Sequence, residues 1–186
     1  MGEAKKPLPV KLIMPMFSKH DDLFDEAEET LRERFGPTDY VSSRLPFNHT
    51  TYYAEEMGGN LERQFLAFEE LIDPGSIASI KTLTNDLEKR WLADGRRMMN
   101  LDPGYIAPSK LVLATTKNHG HRIYLEQGIY GEVTLMYRDG DFRPLPWTYP
   151  DYRTEGYREI MRAIREIYMA QLKKLRSAGQ ITRQLG

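Results

Sequence analysis

The stretch LERQFLAFEELIDPGS, residues 61–76, decides the fold. Leu61 to Ile72 reads as a strand, with helix as the competing reading, and Asp73-Pro74-Gly75-Ser76 punctuates the chain after it. Upstream, Val10 to Phe17 is short and apolar, which suits a buried strand. Ser18-Lys19-His20-Asp21 resembles a capping box, whose side-chain oxygen meets orphan backbone amides at a helix start. Leu23, Phe24, Ala27, Leu31 and Phe35 follow at helical spacing, and Gly36-Pro37 ends that helix. Asp39 to Phe47 reads as a strand ending near Pro46, Thr51 to Met57 as a short strand or turn, and Gly58-Gly59-Asn60 as a turn. Downstream, Ile77, Ile80, Thr84, Leu87 and Trp91 share a helical face, and Asp94-Gly95 ends that helix. Arg96 to Leu101 is a strand stopped by Asp102-Pro103-Gly104.

Strand, helix, strand, strand, helix, strand is the ferredoxin-like split βαβ order. The expected fold is therefore α+β: an antiparallel sheet with a ferredoxin-like βαββαβ core, a C-terminal β-meander and a long C-terminal helix. Two helices cover one face of such a sheet, and the other face is left to be covered or used. The meander is Leu111 to Thr116, His121 to Leu125, Ile129 to Tyr137 and Phe142 to Leu145, turned at Gly128 and Asp139-Gly140. Tyr157, Ile160, Met161, Ile164, Ile167, Tyr168, Leu172 and Leu175 form an apolar stripe. It predicts a helix from about Thr154 to Arg176 that buries Ile160, Ile164, Ile167 and Tyr168, with Gly179 just beyond. One domain is expected over residues 1–186, with residues 1–9 as a flexible tail.

The 186 residues carry 26 basic and 27 acidic side chains, a net charge of -1, so no global field draws the chain to nucleic acid or an anionic membrane. The absence of cysteine excludes disulfides, thiolate zinc sites, iron–sulfur clusters and a cysteine nucleophile, and fits a reducing compartment. No apolar run approaches a membrane span of about 20 residues. The apolar stretch after Pro9 is broken by Lys11 and Pro15 and is short for a signal peptide. A cytoplasmic protein with no nucleic-acid or membrane partner is expected, and there the sequon Asn48-His49-Thr50 carries no weight. Oligomeric state is not legible.

Walker loops, the Rossmann fingerprint, His-Glu-x-x-His and Gly-x-Ser-x-Gly are all absent. His119-Gly120-His121 with Glu132 would supply the three ligands of a catalytic metal. Asn118 and Gly120 favour a turn with solvated or hydrogen-bonded histidines instead, so neither metal nor other cofactor is expected. His49-Thr50-Thr51 resembles half of a two-histidine phosphoesterase motif, whose second half is missing. Lys81, Asn85 and Glu88 share a helical face, either a solvated stripe or the polar wall of a cleft. Arg97, Asn100 and Asp102 on the next strand strengthen the second reading. Pro146-Trp147-Thr148-Tyr149-Pro150-Asp151-Tyr152 is stiffened by two prolines and carries three aromatics. It is either a loop that plugs the core or a binding wall leading into a helix whose free amides can meet an anion.

Taken together, Phe47 to Tyr53, Glu56-Met57-Gly58, Asn100 to Tyr105, His121 to Leu125, Gly128-Ile129-Tyr130, Glu132 to Leu135 and Trp147 to Tyr152 resemble a prokaryotic family called domain of unknown function 4416. The resemblance covers nearly the whole chain. The family pattern has an aromatic where this chain has His49, which weakens a catalytic role there. The resemblance implies no reaction, only that the polar residues of those motifs are signature residues.

The leading expectation is that a small anionic or phosphorylated ligand is bound, and turned over if there is chemistry, in a polar cleft. Its candidate residues are Lys81, Asn85, Arg97, Asn100, Asp102, Lys117, Arg122, Glu132, Thr134, Trp147 and Asp151. Arginine and lysine would hold the anion, aromatics would stack on a ring, and Glu132 or Asp102 would act as general base. Alternation sets Glu132 and Thr134 opposite Val133 and Leu135, and Arg122 and Tyr124 opposite Ile123 and Leu125, which predicts a two-strand polar patch. The alternative is a non-enzymatic interaction module that uses loop 146–152 or a sheet edge.

Overall fold

Strand β1, Val10–Ser18, is buried along its whole length, as a strand covered on both faces must be. It is the middle of the sheet in the computed structural model, which describes residues 2–47, 57 and 59–181. Helix α1 (Asp21–Phe35), β2 (Thr38–Val41), β3 (Leu45–Pro46) and β4 (Glu62–Ile72) follow. A 3-10 turn at Pro74–Ser76 leads into α2 (Ile77–Glu88). Then come the small ribbon β5 (Leu92–Ala93) and β6 (Arg96–Arg97), β7 (Met99–Leu101), β8 (Gly104–Ala107) and β9 (Lys110–Thr115). Strands β10 (Ile123–Glu126), β11 (Ile129–Arg138) and β12 (Asp141–Pro144) precede α3 (Glu155–Ser177).

The sheet runs β10-β11-β9-β8-β1-β4-β2, with β7 also on β1, β3 on β4 and β12 on β11. Every pairing in it is antiparallel. Period-two alternation sends side chains to opposite faces. Leu12, Met14, Met16, Leu66 and Phe68 pack under Phe24, Ala27 and Leu31 of α1 and Ile77, Ile80 and Leu87 of α2. Ile13, Phe65, Ala67, Ile106, Leu111 and Leu135 pack under Met161, Ile164, Tyr168 and Leu172 of α3. Lys11 is fully buried on that second side, where its ammonium meets Asp39 of β2 and Gln171 of α3. Burial lowers its pKa, and the Asp39 carboxylate pulls the other way. Pro9 contributes a carbonyl that accepts from Tyr168 Oη at 2.9 Å.

The fold is thus α+β with a large antiparallel sheet and a C-terminal helix, and residues 62–72 are strand rather than helix. Several local expectations change. Ser18 is not the helix cap: its Oγ accepts from the His20 amide at 3.0 Å and donates to the Met98 carbonyl at 2.6 Å, which ties β1 to the start of β7. The strand expected over Asp39 to Phe47 is cut in two, because Ser42 Oγ takes the Phe65 amide at 2.9 Å in place of a ladder carbonyl. Asp94 and Gly95, with φ of 50° and 74°, turn the β5–β6 ribbon rather than end α2, which has already passed into a 3-10 turn at Lys89–Trp91. Arg96 to Leu101 is broken at Met98. Ile167 is half-buried, at the margin of the α3 stripe. The expected element at Thr51 to Met57, together with His49 and the sequon, lies outside the described residues, apart from Met57.

The largest omission is β8. Asp102-Pro103-Gly104 reads as a stop, yet the chain runs on beside β1: the Asp102 amide donates to the Pro15 carbonyl at 2.8 Å, and β8 begins at Gly104. The glycine is needed for close approach, since a Cβ there would sit 2.4 Å from the Val112 carbonyl oxygen and 2.6 Å from Leu113 Cδ2. Gly104→Ala is expected to cost about 1–3 kcal/mol by overpacking β8 against β9. Ile164→Ala, under α3, is expected to cost about 2–5 kcal/mol. Urea unfolding midpoints check both; wild-type values would mean that neither contact is as tight as described.

Candidate functional site

Strand β8 pairs β1 on one side and β9 on the other. One step along, β7 pairs β1 and β9 pairs β11, but β7 and β9 do not pair with each other. The Ala114 amide still donates to the Pro103 carbonyl at 3.0 Å, and the sheet splits beyond that bond. Buried backbone groups need partners, and at the split α2 supplies them. Glu88 Oε1 accepts the Leu101 amide at 2.8 Å, and Lys81 Nζ donates to the Leu101 carbonyl at 2.7 Å. Both side chains are buried. The remaining Glu88 oxygen accepts from Arg97 at 3.1 Å, and the same Arg97 nitrogen donates to Asn100 Oδ1 at 2.9 Å. Burial, the largest influence, holds the Glu88 carboxyl above its ordinary value of 4.5, with Lys81 and the Leu101 amide pulling it down.

A cavity of about 640 Å³ occupies the opening. Helix α2 contributes Lys81 and Asn85 to its wall, and the β6–β7 edge contributes Arg97, Asn100 and Asp102. Across the gap stand residues 113–117 at the end of β9, then His119, His121 and Arg122, and Glu132 of β11. Trp147, Tyr149, Pro150, Asp151 and Tyr152 close one side, and Phe47 and Arg63 line it as well.

Glu132 organises the far wall. One oxygen accepts from Arg122 Nε at 2.8 Å and lies 2.9 Å from His121 Nε2; the other accepts from Thr134 Oγ1 at 3.1 Å. Arg122 spans outward from there, donating to the Lys117 carbonyl at 2.9 Å and to the Tyr149 hydroxyl. Burial raises the Tyr149 pKa, and the Glu132 carboxylate adds to the shift. Trp147 donates through Nε1 to the Val133 carbonyl at 2.9 Å and stacks on His121, rings 5.3 Å apart and 13° from parallel. His119 also stacks on His121, at 5.9 Å. Arg153 fixes the loop, donating to the carbonyls of Thr148 at 2.8 Å, Leu145 at 3.0 Å and Pro146 at 2.9 Å. Arg63 is buried against Phe47, 3.9 Å from its ring, and is paired with Asp151.

Of the sequence candidates, Lys81, Asn85, Arg97, Asn100, Asp102, Lys117, Arg122, Glu132, Trp147 and Asp151 line this one cavity. Thr134 does not: it lies beneath, holding Glu132 and accepting from Thr148 Oγ1 through its carbonyl. The expected alternation fails there, because β11 shifts register between Val133 and Leu135 and buries both Thr134 and Leu135. It fails again at residues 122–125. Arg122 lies before β10, and Ile123, Tyr124 and Leu125 are all exposed on an edge strand whose own register shifts. The two-strand patch therefore reduces to Arg122 folding back onto Glu132. Among the described residues, no group of three histidine or carboxylate side chains is arranged to hold a metal. Arg63 and Phe47 were not foreseen; Arg63 shares a strand face with Phe65 and Ala67, and that inward register was the available signal.

The class this geometry defines is an α+β protein whose large antiparallel sheet opens onto a polar, aromatic-walled cavity. The family model described as Domain of unknown function (DUF4416) matches residues 8–168, and the chain belongs to that family. No curated protein and no solved structure matches it. Among the described residues, no helix is long and apolar enough to cross a membrane.

Glu88 supplies a pH test of the split. Between 4.5 and its raised folded value, the unfolded chain has released the proton that the folded chain keeps, so stability falls as pH rises through that window. Glu88→Gln carries no such proton. Its unfolding midpoint should gain on the wild type from about pH 4 to about pH 7, whereas parallel curves would mean that Glu88 is not a strained buried acid.

Proposed function

We propose that the cavity binds a small anionic, phosphorylated ligand. The observation that supports this is the charge of its lining: Arg63, Lys81, Arg97, Lys117 and Arg122 against Asp102, Glu132 and Asp151. Such an excess of cations, partly desolvated, favours an anion of higher charge. The volume lies within the roughly 300–1,000 Å³ of small-molecule pockets. Trp147 and Tyr149 offer flat faces to a ring, and Arg122 and Arg153 hold those faces in place before a ligand arrives. In the same reading the β8-β1-β4-β2 order, with α1 and α2 on one face, is a ferredoxin-like core to which β9–β12 and α3 are added. The chain acts as one domain in the cytoplasm, without nucleic acid or membrane.

A second reading, a protein-interaction module, is favoured by one observation. Edge strand β10 leaves Ile123, Tyr124 and Leu125 exposed in a row, with Trp147 and Tyr149 also exposed. Apolar edges of this kind invite strand pairing.

Thermal unfolding with a panel of nucleotides, sugar phosphates and inorganic phosphate tests the first reading. A true ligand at a hundredfold its Kd adds about 2.7 kcal/mol to stability. Lys117→Gln should shrink that shift when it is read against the variant's own unliganded midpoint. A panel in which no phosphorylated compound moves the midpoint would sink the ligand reading and leave the interaction module.

A further inference from the structure

The carboxylates of the cavity are not equivalent. Glu132 has both oxygens engaged, by Arg122 and Thr134. So does Asp151, whose oxygens take Arg63 and the Tyr152 amide. Asp102 makes no side-chain hydrogen bond to any described residue. Its oxygens lie 3.6 Å from Lys81 Nζ and 3.9 Å from an Arg63 nitrogen, distances of ionic attraction rather than hydrogen bonding. With 29% of its side chain exposed, it opens on the cavity.

Two residues earlier, Asn100 is only 3% exposed. Its Oδ1 accepts from Arg97 at 2.9 Å, yet its buried Nδ2 has no hydrogen-bond partner among the described residues. Buried donors without acceptors are uncommon and costly, on the order of 1–3 kcal/mol. Residues two apart on an extended run project to the same side, and both of these line the cavity. The cavity wall thus sets a donor without an acceptor beside a carboxylate that has cationic neighbours but, among the described residues, no hydrogen bond.

We infer that Asn100 and Asp102 recognise neighbouring hydroxyl groups, so that the ligand is a phosphorylated molecule with a vicinal diol, such as a sugar phosphate. The inference rests on the reading of this cavity as a phosphorylated-ligand site. A hydroxyl both donates and accepts, so one can donate to Asp102 while its neighbour accepts from Asn100 Nδ2. A phosphate dianion satisfies only the donor and is repelled by Asp102, so it belongs on the cationic parts of the wall. The diol could come from a free sugar phosphate or from the ribose of a nucleotide, and both present the same pair of hydroxyls.

Isothermal titration with matched probes separates the cases: ribose 5-phosphate and 2-deoxyribose 5-phosphate, AMP and 2′-deoxy-AMP, and inorganic phosphate. At least one diol probe should bind about tenfold tighter than its deoxy partner, the worth of a hydrogen bond to a charged group. The pair with the tighter member identifies the source of the diol. Asp102→Asn should erase that preference while phosphate affinity holds or rises, because a negative charge beside Lys81 and Arg63 has gone. Asn100→Asp keeps the oxygen that Arg97 binds, removes the donor, and should erase the preference too. If either variant fails to unfold cooperatively, the wild-type diol-to-deoxy ratio decides alone. Equal affinity within both pairs, or a preference that survives Asp102→Asn, overturns the diol assignment and leaves the phosphorylated-ligand reading standing. If no phosphorylated probe binds the wild type, that reading fails and this one with it.

Discussion

Leu101 ends β7 with an amide and a carbonyl that no strand on the β9 side takes up; Glu88 and Lys81 of α2 take them instead. Two helix side chains thus stand where a strand would, and the sheet stays parted without leaving buried backbone groups unpaired. The arrangement needs a helix close over the split and two residues one helical face apart, long enough to reach a strand edge. Lys81 and Glu88, seven positions apart, meet both conditions. The cavity exists because this substitution is stable. Its wall then follows from the strand ends exposed at the parting: Asn100 and Asp102 on one side, Thr115 to Lys117 on the other.

The far wall is built on the same economy of buried polar groups. Glu132 would be intolerable alone in a core, and it is made tolerable by three partners from two chain segments, Thr134, His121 and Arg122. Arg122 in turn fixes Tyr149, while Arg153 fixes the loop that carries Trp147. The aromatic face is therefore rigid through hydrogen bonds made behind it. Removing Arg122 would strip a buried carboxylate of its charge partner, so its loss acts on the fold as much as on any ligand.

The parts of the fold that depend on periodicity were legible: the α1 and α2 stripes, the α3 stripe and the long β11. What was hidden depends on tertiary approach. Pro103-Gly104 carries the local signature of a stop, and only the packing of Val112 and Leu113 against Gly104 explains a glycine inside a strand. The register shift at Thr134 reverses the faces of residues that simple alternation assigns, and nothing in residues 129–138 marks it. The polarity of Lys81, Arg97, Asp102, Arg122 and Glu132 was legible, but not whether they would pair among themselves or line a cleft; they line one cavity, and Arg122 also pairs with Glu132. Arg63 was missed as a site residue: its inward register beside Phe65 and Ala67 was visible, but the aspartate that neutralises it lies 88 residues away.

Entry of a phosphorylated molecule into the cavity held open at Leu101 is open to direct measurement. Amide chemical-shift mapping of the intact chain during titration with inorganic phosphate tests it directly. Saturable shifts are expected at residues 97–102, 113–122 and 147–152, with little change along the exposed edge at Ile123 to Leu125. Shifts confined to that edge, scattered over the surface, or absent at saturating phosphate would contradict it.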